Sequence, residues 1–339
     1  MEGIMMRNGD DYAVAVRKPD KDIEVKKDTH KDFTEGKRII SLPFVRGMFK
    51  LIDSMVLGIK TLTYSANFVD EESIEPDRFE TWLSNKFGKK AEKVIISFTI
   101  LLSVLLAVGL FVVLPLFVAE LMQKYIPQIG PKQVPVIEGV LKIFIFIFYL
   151  MLTALMKDIK RTYMYHGAEH KCINAIETGK PLSVENVRRS SRFHKRCGTS
   201  FIFVVLLVSI LIFLLINPSN VWLRYGIRIV LIPVIAGFAY EFIRKAGTSD
   251  SLLVNILSKP GLWMQRITTK EPTDDMIEVA IEAVEAVFDW EEYLVKNGVE
   301  IIPKKDNTEP VKHINLDNTF DRPLPQRNSN SKSGYNWKF

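Results

Sequence analysis

The most reactive spacing in this chain is His166-Gly167-Ala168-Glu169-His170, an H-x-x-E-H pattern. On a helix, residues four apart share a face, so His166 and His170 can offer two nitrogens to one metal ion. Glu169 neighbours the second histidine and could serve as general base towards a water polarised by that ion. This is the inverted form of the zincin motif. Polar, helix-forming residues 158–177 surround it and Gly179 makes a C-terminal stop, so the local context predicts a helix. The plainer reading puts two ordinary histidines on a solvated helix, with Glu169 paired to a lysine.

Three further side chains suit the same chemistry. His194 precedes Cys197 by three residues, and His-x-x-Cys is a workable pair of zinc ligands. Glu241 stands in an apolar stretch, where a carboxylate is costly unless paired or ligating. The sequence therefore predicts metal ligands drawn from His166, His170, His194, Cys197 and Glu241, with Glu169 as the catalytic carboxylate. Zinc, or another divalent transition metal, is the expected cofactor. Cys197 as a small residue opening a helix, and Glu241 as a partner of Arg244, are the competing structural readings. Cys172, two positions past His170, points off the ligand face and reads as structural.

These residues lie far apart in the chain, so the intervening elements must gather them. Residues 94–119 carry no charge and exceed the ~30 Å that a helix needs to cross the hydrocarbon core. Residues 199–216 form a second uncharged run. Residues 140–156 carry Lys142, and 227–243 carry Arg228, Pro233 and Glu241. Together these runs predict a mainly α-helical, polytopic membrane bundle of about four transmembrane helices.

Lysine and arginine crowd the segment before the first run and residues 157–198, and are sparse in the other connections. The positive-inside rule then predicts that both termini and the central segment are cytosolic, with the candidate ligands at one rim. One distance resists this arrangement. A straight continuation of the second span would carry His166 about 15 Å beyond Met156. Either the helix bends back, or Lys157, Asp158 and Arg161 line a polar cavity.

Outside the spans, alternation over residues 11–27 around Pro19-Asp20-Lys21-Asp22 predicts a β-hairpin. Phe44, Met48, Leu51, Ile52, Met55 and Ile59 recur at helical spacing, with Arg46, Lys50, Asp53 and Lys60 off the stripe. That predicts an amphipathic helix at the bilayer surface or packed on the bundle. Residues 252–264, interrupted by Pro260-Gly261 and anchored by Trp263, predict a second interfacial helix. Residues 274–296 predict a water-facing one. The expected organisation is an N-terminal β-hairpin region (1–37), an amphipathic region (38–93) and a transmembrane bundle (94–243) with cytosolic loop 157–198. Cytosolic and interfacial helices (244–298) and a disordered tail (299–339) follow.

Composition narrows the function classes. The two cysteines exclude a disulfide framework and fit a reduced or metal-bound state. A polar start predicts that no signal peptide is cleaved. There is no phosphate-binding glycine loop and no internal repeat. Arg188, Arg189, Arg192, Lys195 and Arg196 read as a topology signal that touches anionic headgroups. Phe193 alone interleaves them, so nucleic-acid binding is not expected. The expected partners are the lipid bilayer with anionic headgroups and a membrane-protein partner or substrate.

Four segments carry a family resemblance. They are Met1-Glu2-Gly3-Ile4-Met5-Met6-Arg7, Pro43-Phe44-Val45-Arg46-Gly47 leading to Gly58, Tyr165-His166-Gly167-Ala168-Glu169-His170-Lys171, and His194-Lys195-Arg196-Cys197-Gly198-Thr199-Ser200-Phe201. Together they resemble the YqhQ-like family of bacterial multi-pass membrane proteins, described as predicted metal-dependent enzymes. The resemblance runs from the N-terminus to about Val287. It implies a bacterial inner-membrane protein whose metal site includes His166, Glu169 and His170, with His194 and Cys197 in the second shared motif. Two functions are open at this point: a peptidase-like metal-dependent hydrolase at the cytosolic interface, or a non-catalytic membrane-protein biogenesis or assembly factor with a structural metal or none. A closed four-ligand site would favour the second, and three ligands with an open position the first.

Overall fold

A computed structural model describes residues 2–31, 42–66, 68, 91–195, 197–246 and 251–299. The expected tail lies, apart from residue 299, outside the described residues. Strands β1 (Gly3–Asn8), β2 (Asp11–Arg17) and β3 (Ile23–Thr29) form an antiparallel sheet in that order. The hairpin expected from residues 11–27 is β2–β3, and β1 adds a third strand through a tight turn at Gly9, whose φ is 65°. Ile4 is the one β-branched residue in β1, so its own strand propensity is weak and pairing with β2 decides its conformation.

The helices are α1 (Val45–Ala66), α2 (Ala91–Val108), α3 (Leu114–Tyr125), α4 (Val134–Thr153), α5 (Lys157–Glu177), α6 (Val184–Arg189), α7 (Gly198–Leu215), α8 (Val221–Val230), α9 (Ile232–Ala246), α10 (Leu252–Thr268), α11 (Asp274–Glu285) and α12 (Trp290–Lys296). A π-helical turn, Gly109–Val113, joins α2 to α3 just before Pro115, which lacks the N–H that an unbroken α-helix would use. Among the described residues, three helices are long and apolar enough to cross a membrane: Ser97–Tyr125, Val134–Thr153 and Gly198–Leu215. The expected fourth span is instead a bent pair, α8 and α9, with 43° between them. The break falls at Leu231, and Pro233 sits in the first turn of α9, where its missing N–H has no helical partner to lose. The chain is thus a mainly helical, multi-pass membrane type with a small sheet.

Two further expectations are corrected. Pro260 does not interrupt α10, which runs through it. Gly261, the next residue, packs so closely on α7 that a Cβ there would strike Ser200. Residues 274–296 form not one helix but α11 and α12. The Asp289 side chain accepts from the Glu292 N–H and starts a new helix, a capping signal visible in Asp-Trp-Glu-Glu.

The sheet is covered on both faces. Tyr12, Val14 and Val16 of β2 pack with Leu57 of α1, while Ala13 and Ala15 face a core shared with α5 and α11. Alternation with period two assigns each side chain to its layer, and the small alanines let the two helices approach. That core, with Tyr165, Cys172 and Ile176 from α5 and Ile277 and Val284 from α11, fixes the outer face of the motif helix.

Inside the bundle, charged groups are matched. Glu138 of α4 lies 2.7 Å from the Lys142 Nζ and 2.9 Å from an Arg228 guanidinium nitrogen of α8. Both cations sit about the Phe213 ring of α7, at 4.5 Å and 4.4 Å. Arg224 pairs with Glu120 at 2.9 Å, tying α8 to α3. Removing the carboxylate at 138 leaves two buried cations facing one another, which costs about 3–5 kcal/mol. Glu138→Ala is therefore expected to lower the melting temperature of the detergent-solubilised protein sharply. An exposed swap such as Glu291→Ala should leave it unchanged.

Candidate metal centre

The 15 Å difficulty is met by a break in the helix. α4 stops at Thr153, Met156 adopts an extended conformation (φ −71°, ψ 131°), and α5 sets off in a new direction at Lys157. The Thr153 hydroxyl, 3.4 Å from that of Tyr163, spans the turn. α5 thereby returns its histidines to the end of the bundle where α7 begins. Cys197 is the residue immediately before α7.

The loop between α6 and α7 is held from both sides through its carbonyls. From α5, Lys171 donates to Arg188 O and Ser190 O (both 2.9 Å), and Asn174 donates to Ser191 O (2.7 Å) and Phe193 O (3.0 Å). From α10, the Gln265 amide accepts from the His194 N–H and donates to His194 O, each at 2.8 Å. Its Nε2 also reaches the Ser200 hydroxyl at 2.9 Å. Among the described residues, three arginines of this basic segment are matched too: Arg188 pairs with Asp274, Arg189 with Glu185, and Arg192 with Glu271. A loop without regular structure is thus fixed well enough to present Cys197 at a defined place.

Three of the predicted ligands meet there. The donor atoms of His166, His170 and Cys197 all lie within 4.8 Å of one another. Cys197 Sγ is 3.2 Å from His166 Nε2, and the two imidazole centroids are 4.4 Å apart. His166 Nδ1 lies 2.9 Å from Thr268 O, and His170 Nδ1 lies 2.7 Å from Arg192 O. A carbonyl can only accept, so each Nδ1 carries the proton and each Nε2 keeps a lone pair for an ion. This is the outer support that metal-binding histidines ordinarily have. Donor atoms around a tetrahedral zinc ion lie roughly 3–4 Å apart, so the cluster needs little adjustment to hold one.

The other predicted residues fall elsewhere. Glu169 is half-buried beside the cluster. Its surroundings push its carboxyl above the usual range by desolvation, while the nearby His166 and His194 pull the other way. His194 lies 5.8 Å from His170, ring to ring, and its Nε2 is 3.3 Å from Glu177 Oε2. Burial pushes its pKa down to about 4, so the ring is neutral at physiological pH. Glu241 does not join the histidines: it makes two 2.6 Å hydrogen bonds to the guanidinium of Arg46. Cys172 is buried in the core with the sheet.

The supporting groups had little signal in the sequence, because two of them are backbone carbonyls. Gly167 was a readable exception. A Cβ at that position would overlap Lys270 O, and the Lys270 N–H donates to Tyr163 O at 2.9 Å. The glycine therefore lets the strand-like exit of α10 lie against α5, which sets Thr268 O over His166.

The described site falls within a recognised family. Residues 42–290 match the family described as a protein of unknown function (DUF1385). The chain is 34% identical over 286 residues to the uncharacterized protein YqhQ of Bacillus subtilis (strain 168), across 84% of this chain and 88% of that one. No solved structure matches it.

Gly167→Ala is expected to wedge α10 from α5 and cost about 1–3 kcal/mol by overpacking. Amide exchange should accelerate at Lys270, whose N–H bond to Tyr163 O would open, while exchange in α7 stays as in the parent protein.

Proposed function

The chain belongs to the DUF1385 family, and we propose that it is a membrane metalloprotein in which His166, His170 and Cys197 hold a divalent transition ion, zinc foremost, for hydrolysis. The observation that carries this reading is the convergence of three donor atoms, two of them imidazole Nε2 atoms freed by carbonyls behind them. Three protein donors leave one position of a tetrahedral ion open, the pattern of catalytic rather than structural zinc. A bound ion would supply Lewis acidity and lower the pKa of a water in that position.

Glu169 would take the proton from the attacking water and return it to the leaving group. A carboxyl whose pKa is raised by burial is suited to both steps. The distribution of lysine and arginine favours the cytosolic face of a bacterial cell membrane for this site. Its place at the start of α7 favours a peptidase-like reaction on substrates that reach the bilayer surface.

One observation favours a second reading. The donors and their supports come from α5, the loop before α7, and α10, so an ion here would staple the sheet-containing unit to the bundle. A biogenesis or assembly factor with a structural metal would need that staple and no turnover.

Purified wild-type protein is expected to carry about one equivalent of metal. The double variant His166→Ala/His170→Ala should carry none; equal content in the two would exclude the site. Glu169→Gln should keep metal and fold but fail to restore function in cells lacking the parent protein. Full restoration would favour the staple. With cobalt substituted, a thiolate-to-metal charge-transfer band should appear and vanish in Cys197→Ser.

A further inference from the structure

Helix α1 is polar where it is buried and apolar where it is exposed. Its buried residues are Gly47, Asp53, Leu57, Thr61 and Ser65. The opposite face shows Ile52, Met55, Val56, Ile59 and Leu62, each between 41% and 56% exposed. A helix packed on a water-soluble unit has the reverse polarity, with its charged face outward.

The buried face accounts for its own polarity. Asp53 is 2.8 Å from the His30 ring and 3.4 Å from Arg7, and Thr61 donates to Gly58 O at 2.9 Å. Gly47 lies so close to α9 that a Cβ would strike Tyr240 and Gly237, the small-residue contact by which membrane helices approach.

The exposed face is equally informative. Lys60, at its margin, turns off the stripe to Asp28 at 3.1 Å and to the Tyr12 ring, as a lysine beside lipid does. Thr63 donates its hydroxyl to Ile59 O at 2.9 Å, so that donor needs no water. The stripe is also continuous with the bundle. Phe44 packs on Phe238 of α9 with ring centroids 4.4 Å apart and planes tilted by 42°, and both residues are exposed.

We propose that this stripe is a lipid-contact surface, and that α1 lies along one leaflet with acyl chains of the bilayer as its occupant. The helix is not one of the spans. It forms an in-plane anchor that joins the bundle, through Gly47 and Gly237, to the sheet, through Leu57. The sheet-containing unit is thereby held against the membrane surface. This inference is independent of any metal at the histidines.

The test places a photo-crosslinking residue at Val56 or at Ile59 of the full chain, reconstituted in vesicles of phosphatidylethanolamine and phosphatidylglycerol and also in native membranes. Leu211 on α7, 62% exposed, serves as the lipid-facing control, and the exposed Glu291 as the water-facing one. Illumination should give phospholipid adducts at Val56 and Ile59 with yields like those at Leu211, and none at Glu291. A cross-linked dimer, a discrete adduct with another protein, or no adduct where Leu211 gives one would each overturn the proposal. Size-exclusion profiles matching the parent protein show that each labelled variant is folded.

Discussion

A helix that leaves a membrane in a straight line carries its side chains away at about 1.5 Å per residue. Here the straight course is broken between Thr153 and Lys157 at an extended Met156, and the Thr153 and Tyr163 hydroxyls lie 3.4 Å apart across the break. The candidate site depends on this break. It brings His166 to 3.2 Å from Cys197, and it lets Lys171 and Asn174 grip the loop that positions the cysteine. It also places the opposite face of α5 against the sheet, so the same helix closes the extramembrane core and supplies two donor nitrogens.

Much of this was legible in the residues. Long uncharged runs announced the spans, and the four-residue spacing of His166 and His170 announced a shared helix face. The approach of Cys197 to the histidines was suggested by its place at the head of an apolar run, on the same side of the bundle. What was not legible were events governed by tertiary contact. Glu241 carries the same signal whether it ligates a metal or meets a cation, and nothing local says that Arg46, nearly two hundred positions earlier, will reach it. The carbonyls of Thr268 and Arg192 have no residue-type signature at all. The passage of α10 through Pro260 likewise had no local signal, whereas the bend at Leu231 falls two residues before Pro233, where a proline breaks a helix.

The molecule handles charge consistently. Glu138 meets both Lys142 and Arg228 beside Phe213, Arg224 meets Glu120, and Arg46 meets Glu241. In a low-dielectric bundle an unmatched ion is far more costly than in water, so each cation fixes a helix to its neighbour. The same economy explains α1, which turns Asp53 inward to Arg7 and His30 and leaves hydrocarbon outside. The candidate site differs in kind. Its histidines and cysteine are gathered with their donor atoms within 4.8 Å of one another, an arrangement that the proposed ion would stabilise.

X-ray absorption at the metal edge of the purified full-length protein addresses that claim most directly. One sulfur at about 2.3 Å and two imidazole nitrogens at about 2.0 Å are expected around a single ion, with a light-atom donor completing the shell. The sulfur scattering should be lost in Cys197→Ser while the imidazole signal remains. A shell of nitrogen and oxygen alone in the parent protein, or an edge signal no stronger than that of His166→Ala/His170→Ala, would contradict it.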